Sequence, residues 1–181
     1  MKYDTLKKKF GEFASWAYWD PTDIEVLPDD KTPKNYQYVF VGLNASKAND
    51  HRIWGNYHKK HRGGSDWKLQ EALMGTKYEG SYLTDIIKWP DEAKSSVIKK
   101  ALKNNPKEIK KHLDMFLKEL ELLEDVKVII VFGNDAYYYV EMLRSQIEKK
   151  GIQIRKITHY SAPKMRKHGA YKDYIKRELN C

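Results

Sequence analysis

The stretch that most constrains this chain is "VKVIIVFG", residues 126–133. Its centre, Val128 to Phe132, holds five apolar residues with no polar alternation. A strand with one wet face alternates apolar and polar residues, whereas a strand covered on both faces does not. The run therefore predicts a strand inside a parallel sheet that carries helices on both sides. Three other segments are short and rich in β-branched or aromatic residues: 36–42 (YQYVFVG), 80–88 (GSYLTDIIK) and 152–160 (IQIRKITHY).

Helical periodicity fills the intervals. "SSVIKKALKN" and "EIKKHLDMFLKELELLED" place apolar residues at three- and four-residue spacing, and Asn104-Asn105-Pro106 breaks one from the other. "NDAYYYVEMLRSQIEKKG" opens on an Asn-Asp cap and stops on Gly151. "KDYIKREL" reads as a last helix, and "DTLKKKFGEFASWAY" predicts an opening helix over 4–18. Strand–helix alternation with right-handed crossovers gives an α/β fold with a parallel sheet. The 181 residues suit one domain, 1–181, with its core over about 36–181.

In such sheets ligands bind at the carboxyl ends of the strands. The four exits read "GLNAS", "TDIIKWP", "FGND" and "THYSAP". Gly42, Ala45 and Ser46 are small enough for backbone amides to approach a ligand, with Leu43 between them. Asn44 either holds a water or polar ligand edge, or caps a tight turn. His159 and Ser161 stand at the last exit, where an imidazole can donate to developing negative charge or bond a neighbouring loop. Asp85, a carboxylate among apolar neighbours, either caps a turn or reads a ligand's donors. The insertion 47–65 follows the first exit, and its Trp54 and Tyr57 either stack on a flat ring or anchor the loop.

A net charge of +9 and a pI near 9.3 fit a nucleic-acid partner, as do 13 Tyr and 5 Trp for stacking on bases. Lysines spread along helix faces and tyrosines filling a core account for the same counts. His51, His58, His61, Asp50 and Asp66 raise a metal site, but their spacing matches no zinc signature, so no metal is expected. "RGGS" lacks the Gly-Lys-Ser/Thr ending of a phosphate loop. The only cysteine, Cys181, rules out an internal disulfide. No apolar run nears the roughly 20 residues that cross a bilayer, and the first residues do not read as a signal peptide. The expectation is a cytoplasmic monomer without cofactor or membrane contact.

Taken in order, the exits resemble the uracil-DNA glycosylase superfamily from about residue 38 to 166. "VFVGLNAS" resembles its first motif, a strand followed by Gly-x-Asn-Pro or Gly-x-Asp-Pro. "SYLTDIIKWP" is similar to the second strand of the iron–sulfur branch. "VIIVFGNDAYYYV" resembles the third strand with its Gly-x-x-Ala turn, and "ITHYSAP" the final His-Pro-Ser motif. The resemblance implies a three-layer α/β/α sandwich with a four-stranded parallel sheet. It also implies DNA repair by base excision: a base is flipped into a pocket and its N-glycosidic bond hydrolysed. Asn44 matches the water-positioning residue and His159 the residue that hydrogen-bonds the departing base. Trp54 or Tyr57 would stack on that base. Met165 would be the apolar wedge in "PKMR", with Lys164 and Arg166 on phosphates.

The chain departs from the pattern in four places. Ala45 and Tyr160 stand where the motifs carry proline, and the cluster-binding cysteines of the iron–sulfur branch are absent. Asp85 replaces the base-reading asparagine. An ionised aspartate only accepts, so it repels uracil's O4 and favours a base with an exocyclic amino group. Two other readings fit the same residues: a nucleic-acid-binding module of this fold without chemistry, and a hydrolase of free nucleosides or nucleotides.

Overall fold

The structure is a computed structural model that describes residues 2–20, 26–44, 52–58, 65–89 and 95–181. In chain order its elements are α1 (Lys2–Phe10), β1 (Ala14–Trp16), β2 (Asn35–Asn44), α2 (Trp67–Leu73), β3 (Ser81–Ile87), α3 (Ser95–Leu102) and α4 (Pro106–Leu122). They continue with β4 (Val128–Phe132), α5 (Gly133–Glu141), α6 (Arg144–Glu148), β5 (Gln153–Ile157), a 3-10 turn (Pro163–Met165) and α7 (Ala170–Leu179). The five strands form one sheet in the order β1-β3-β2-β4-β5. The four anticipated strands are mutually parallel where they pair, and β1 adds an antiparallel edge against β3.

That edge strand corrects the expected helix over 4–18. The helix stops at Phe10, and the Gly11 amide bonds back to the Lys7 carbonyl at 3.0 Å. Ala14, Ser15 and Trp16 then pair with Thr84, Leu83 and Tyr82. All three are buried, which no helix with one wet face would allow. The stretch 134–151 also differs. Its helix starts at Gly133 with no side-chain cap, Asn134 and Asp135 lie inside its first turn, and it splits into α5 and α6. The break at Asn105 holds as expected: its side chain accepts from the Glu108 amide, with Pro106 opening α4.

The unalternated run at 128–132 is explained by its two covers. Ile129 and Val131 pack with Val39, Val41, Phe116 and Leu120 on one side. Ile130 and Phe132 pack with Phe40, Leu69, Leu83 and Ile175 on the other. Helices α1, α3, α4 and α5 therefore cover one face and α2 with α7 the other, giving the three-layer α/β/α arrangement. Among the described residues no helix is long and apolar enough to cross a membrane.

Beneath the first cover lies a fully buried polar cluster on β3 and α4. The Lys88 ammonium is paired with the Glu119 carboxylate and also donates to the Thr84 hydroxyl at 2.7 Å. The hydroxyls of Tyr82 and Thr84 each donate to Glu119 Oε1 at 2.8 Å. Two hydroxyls of β3 and the ammonium of the residue that follows it thus satisfy one helix carboxylate, which locks the register of α4 over the sheet.

Candidate active site

The strand exits converge on the carboxyl edge of the sheet. Gly42 lies opposite Asp85 and Asn44 opposite Ile87 across the β2–β3 pair. Val41 sits beside Val131, and Phe132 beside Ile157. From β2 the chain turns toward β3, and from β4 it turns the other way toward β5. The crevice between the ends of β2 and β4 is therefore the switch point of the sheet, where ligands of open α/β folds sit.

Asp85 is 3% exposed and anchors one wall. Its Oδ2 accepts from the Asn56 amide at 2.7 Å, and the same amide group donates to the Phe13 carbonyl at 2.8 Å. The Tyr57 hydroxyl stands 2.8 Å from Asp85 Oδ1 and 2.9 Å from the Thr84 carbonyl, so its one proton serves two acceptors. Burial, then the neighbouring Asp85 charge, push the Tyr57 hydroxyl well above its ordinary pKa, which keeps it a donor. These bonds fasten the 52–58 segment across β3 against local strain. Trp54 and Tyr57 both adopt left-handed backbone, with φ of 62° and 67°.

Gly42 makes room for that pair. A Cβ there would lie 2.3 Å from both Asp85 Oδ1 and the Tyr57 hydroxyl. Gly42→Ala is expected to force the two side chains apart and cost about 1–3 kcal/mol. In a Tyr57→Phe background, which removes one of the two clashing atoms, the cost should shrink. Denaturant unfolding of the four proteins of this cycle checks it, and strictly additive losses would refute the contact.

The opposite wall is aromatic. Phe132 closes β4 and stacks on Phe40 with ring centroids 5.6 Å apart. It meets His159 edge-on at 5.9 Å and Tyr160 at 5.4 Å. Gly133 turns the chain into α5 at φ 77°, beside the His159 Cβ. His159 stacks on Tyr160 at 4.4 Å. The Ser161 amide donates to His159 Nδ1 at 3.1 Å, and the Ser161 hydroxyl lies 2.8 Å from the same nitrogen. An imidazole nitrogen that accepts a backbone N–H carries no proton, so the neutral ring holds its hydrogen on Nε2. Burial, and then the Lys68 charge, lower the pKa of His159 to about 4, so the ring is neutral at physiological pH. Lys68 is buried and donates to the Tyr160 carbonyl at 3.2 Å, while the Tyr160 hydroxyl reaches Asp66 Oδ1 at 3.3 Å.

Gly42, Leu43, Asn44, Tyr57, Asp85, His159 and Ser161 share this edge, with Asn44 half-buried at the end of β2. Tyr57, 4% exposed with its hydroxyl on Asp85, presents no free ring to stack on a base, and two further candidates do not fit their expected parts. Trp54 is 1% exposed and packs in the core against Trp16 and Tyr82, so it presents no free ring to a ligand. Met165 is 5% exposed and buried with Tyr160, Tyr171 and Ile175, so it does not project as a wedge. Lys164 and Arg166 flank it on the surface. Of the suggested metal set, His58 is buried against Trp19 with Nε2 3.2 Å from the Trp16 carbonyl. Asp66 faces Tyr160, and Asp50, His51 and His61 lie outside the described residues, as do Ala45 and Ser46. Among the described residues no group of three or more His, Cys, Asp or Glu could hold a metal ion.

Phe132, Asn56, Lys68 and the packing role of Tyr160 escaped the sequence reading. Phe132 carried a signal, since it is the last residue of an apolar strand before a glycine turn. Lys68 carried none, because a buried lysine and a solvated one look alike in sequence.

The family model of the uracil DNA glycosylase superfamily matches residues 30–179, which includes all four parallel strands, β2 to β5, and their exits. No curated protein matches the chain.

Proposed function

The chain belongs to the uracil DNA glycosylase superfamily, and from that premise we propose that it hydrolyses the N-glycosidic bond of a base in DNA. The observation that carries this reading is the state of His159. Its Nδ1 is occupied by Ser161, its ring is neutral, and its Nε2–H is the donor left for a ligand. A neutral donor suits a departing base: it stabilises the negative charge that develops as the C1′–N bond breaks, without protonating the base beforehand. The electron pair of that bond leaves with the base, and a water oxygen bonds to C1′. Asn44 orients this water from the end of β2. As an amide it takes up no proton, so the water's proton passes to the departing base or to solvent.

Asp85 bears on which base. Both its oxygens already accept from Asn56 and Tyr57, and a carboxylate at this position disfavours a carbonyl edge such as uracil's O4. A base with an exocyclic amino group, or another modified base, fits better. A second reading, a module that binds nucleic acid without cleaving it, draws support from the burial of Met165, since a buried side chain wedges nothing into a duplex.

The test is a panel of oligonucleotides, each with one altered base, assayed for abasic sites. Wild type is expected to cleave one of them, and His159→Ala to lose about 10²–10³-fold in rate, the usual cost of one donor to developing charge. Asn44→Ala is expected to slow it as well. Cleavage that survives both substitutions, or no cleavage on any base, would refute the hydrolase reading.

A further inference from the structure

A second aromatic feature lies on the surface one residue from this site. Trp67, the first residue of α2, is 38% exposed, an unusual state for a tryptophan in this chain. His168, in the link between the 3-10 turn and α7, stacks on it with centroids 5.5 Å apart and planes within 16°. Glu71, one turn further along α2, reaches His168 Nδ1 at 3.5 Å. Two side chains on one helix face thus hold a single imidazole whose side chain is still 82% exposed. Lys164, Arg166 and Lys167, all within four residues of it in the chain, are exposed. The residues on either side of Trp67 lead inward, since Asp66 and Lys68 both bond to Tyr160, beside His159.

We propose that the outer face of His168, backed by Trp67 and held by Glu71, is a stacking platform for an unpaired base of single-stranded nucleic acid. Three observations favour that occupant. An exposed ring fixed in orientation loses little freedom when a flat partner adds to the stack. The cations beside it match a phosphate backbone, not an acidic or apolar peptide pocket. A duplex keeps its bases stacked on one another, so only an unpaired nucleotide offers its face. The proposal rests on the reading of the neighbouring strand edge as one that handles a nucleic-acid base, because the platform would hold a nucleotide next to the one in the crevice.

The probe is a fluorescent single strand of about 12 ordinary nucleotides, with a blunt duplex of the same sequence beside it. It contains no altered base, so absence of excision on any substrate leaves this measurement standing on its own. Binding is measured by anisotropy over a salt series for wild type, His168→Ala and His168→Tyr. The exposed position of His168 makes either variant compatible with folding. His168→Ala is expected to bind the single strand about 5- to 150-fold more weakly, with the salt slope unchanged, as loss of one stacked base predicts. His168→Tyr, which keeps a flat ring, should bind near the wild-type level. Lys164→Ala should instead lower the slope by about 0.7, the mark of one lost phosphate contact. The proposal is overturned if His168→Ala binds as wild type does. It is equally overturned if alanine and tyrosine lose affinity alike, or if only duplex binding suffers.

Discussion

Acidification from about pH 7.5 to about 5.5 is expected to destabilise this protein steeply, well before its carboxylates protonate. Three histidines are held neutral by the fold. His58, His112 and His159 each have a pKa lowered to about 4, in every case first by burial. Cations add to it: Arg52 at His58, Lys111 and Lys88 at His112, and Lys68 at His159. Trp16's carbonyl and Glu108 pull the other way at His58 and His112. In the unfolded chain all three titrate near 6.5. Above that pH neither state binds the protons, and the neutral rings cost nothing. Below it the unfolded state takes up protons that the folded state refuses, so stability falls as pH falls, down to about 4 where the folded rings also titrate. In the middle of that window the three together remove about 4 kcal/mol for each pH unit. A domain whose whole stability is on the order of 5–15 kcal/mol does not tolerate much of that. Asp29, Asp30 and Glu141, whose pKa values are lowered by hydrogen bonds from Thr32, Lys7 and Arg144, act only at more acid pH. Asp29 and Asp30 are exposed and Glu141 is only half-buried, so they contribute little. Urea unfolding at the two pH values should show a lower midpoint at the acid one with the same slope. Equal midpoints would mean that the histidines are not kept neutral.

The second large effect concerns the buried pair beneath α4. Glu119→Gln is expected to cost about 3–5 kcal/mol, because the Lys88 ammonium stays fully buried and loses its counter-charge. Lys88→Met should cost a similar amount, as it strands the carboxylate. The double replacement Lys88→Met with Glu119→Leu removes both charges, and a buried ion pair exchanged for apolar side chains is often close to neutral. Here it is not fully so. Tyr82 and Thr84 donate to Glu119, and a buried hydroxyl without an acceptor costs about 1–3 kcal/mol. The double variant is therefore expected between wild type and the singles. Denaturant midpoints of the four proteins decide it. A double variant less stable than either single would show that the charges are not each other's main partners.

Much of the architecture was legible because its signals are local. An apolar strand buried on both faces betrays itself by lacking alternation, as 128–132 did. Asn105-Pro106 announced a helix start for the same reason: the cap is made within three residues. The expected opening helix failed at Gly11 because helical composition continued past the residue that ends the helix. Ala14 to Trp16 are claimed by Thr84 to Tyr82, roughly seventy positions away, and no local preference reports that pairing.

The candidate site divides the same way. The sequence by itself determined which side chains stand at the strand ends, since a strand's exit is a matter of where the apolar run stops. That brought Asn44, Asp85 and His159 to one edge of the sheet. Only the tertiary structure decided what each meets there. Asp85 is held by Asn56 and Tyr57, residues 29 and 28 positions away, and Lys68 reaches the Tyr160 carbonyl across 92. Gly42, expected to admit a ligand, admits the Asp85–Tyr57 pair. Trp54 and Met165 turned into the core, where burying a large apolar side chain gains about 1.5–3 kcal/mol over leaving it in water. A periodic pattern encodes which way a backbone segment faces. The partner of a buried polar group depends on side chains brought together by the whole fold, and no window of sequence contains them.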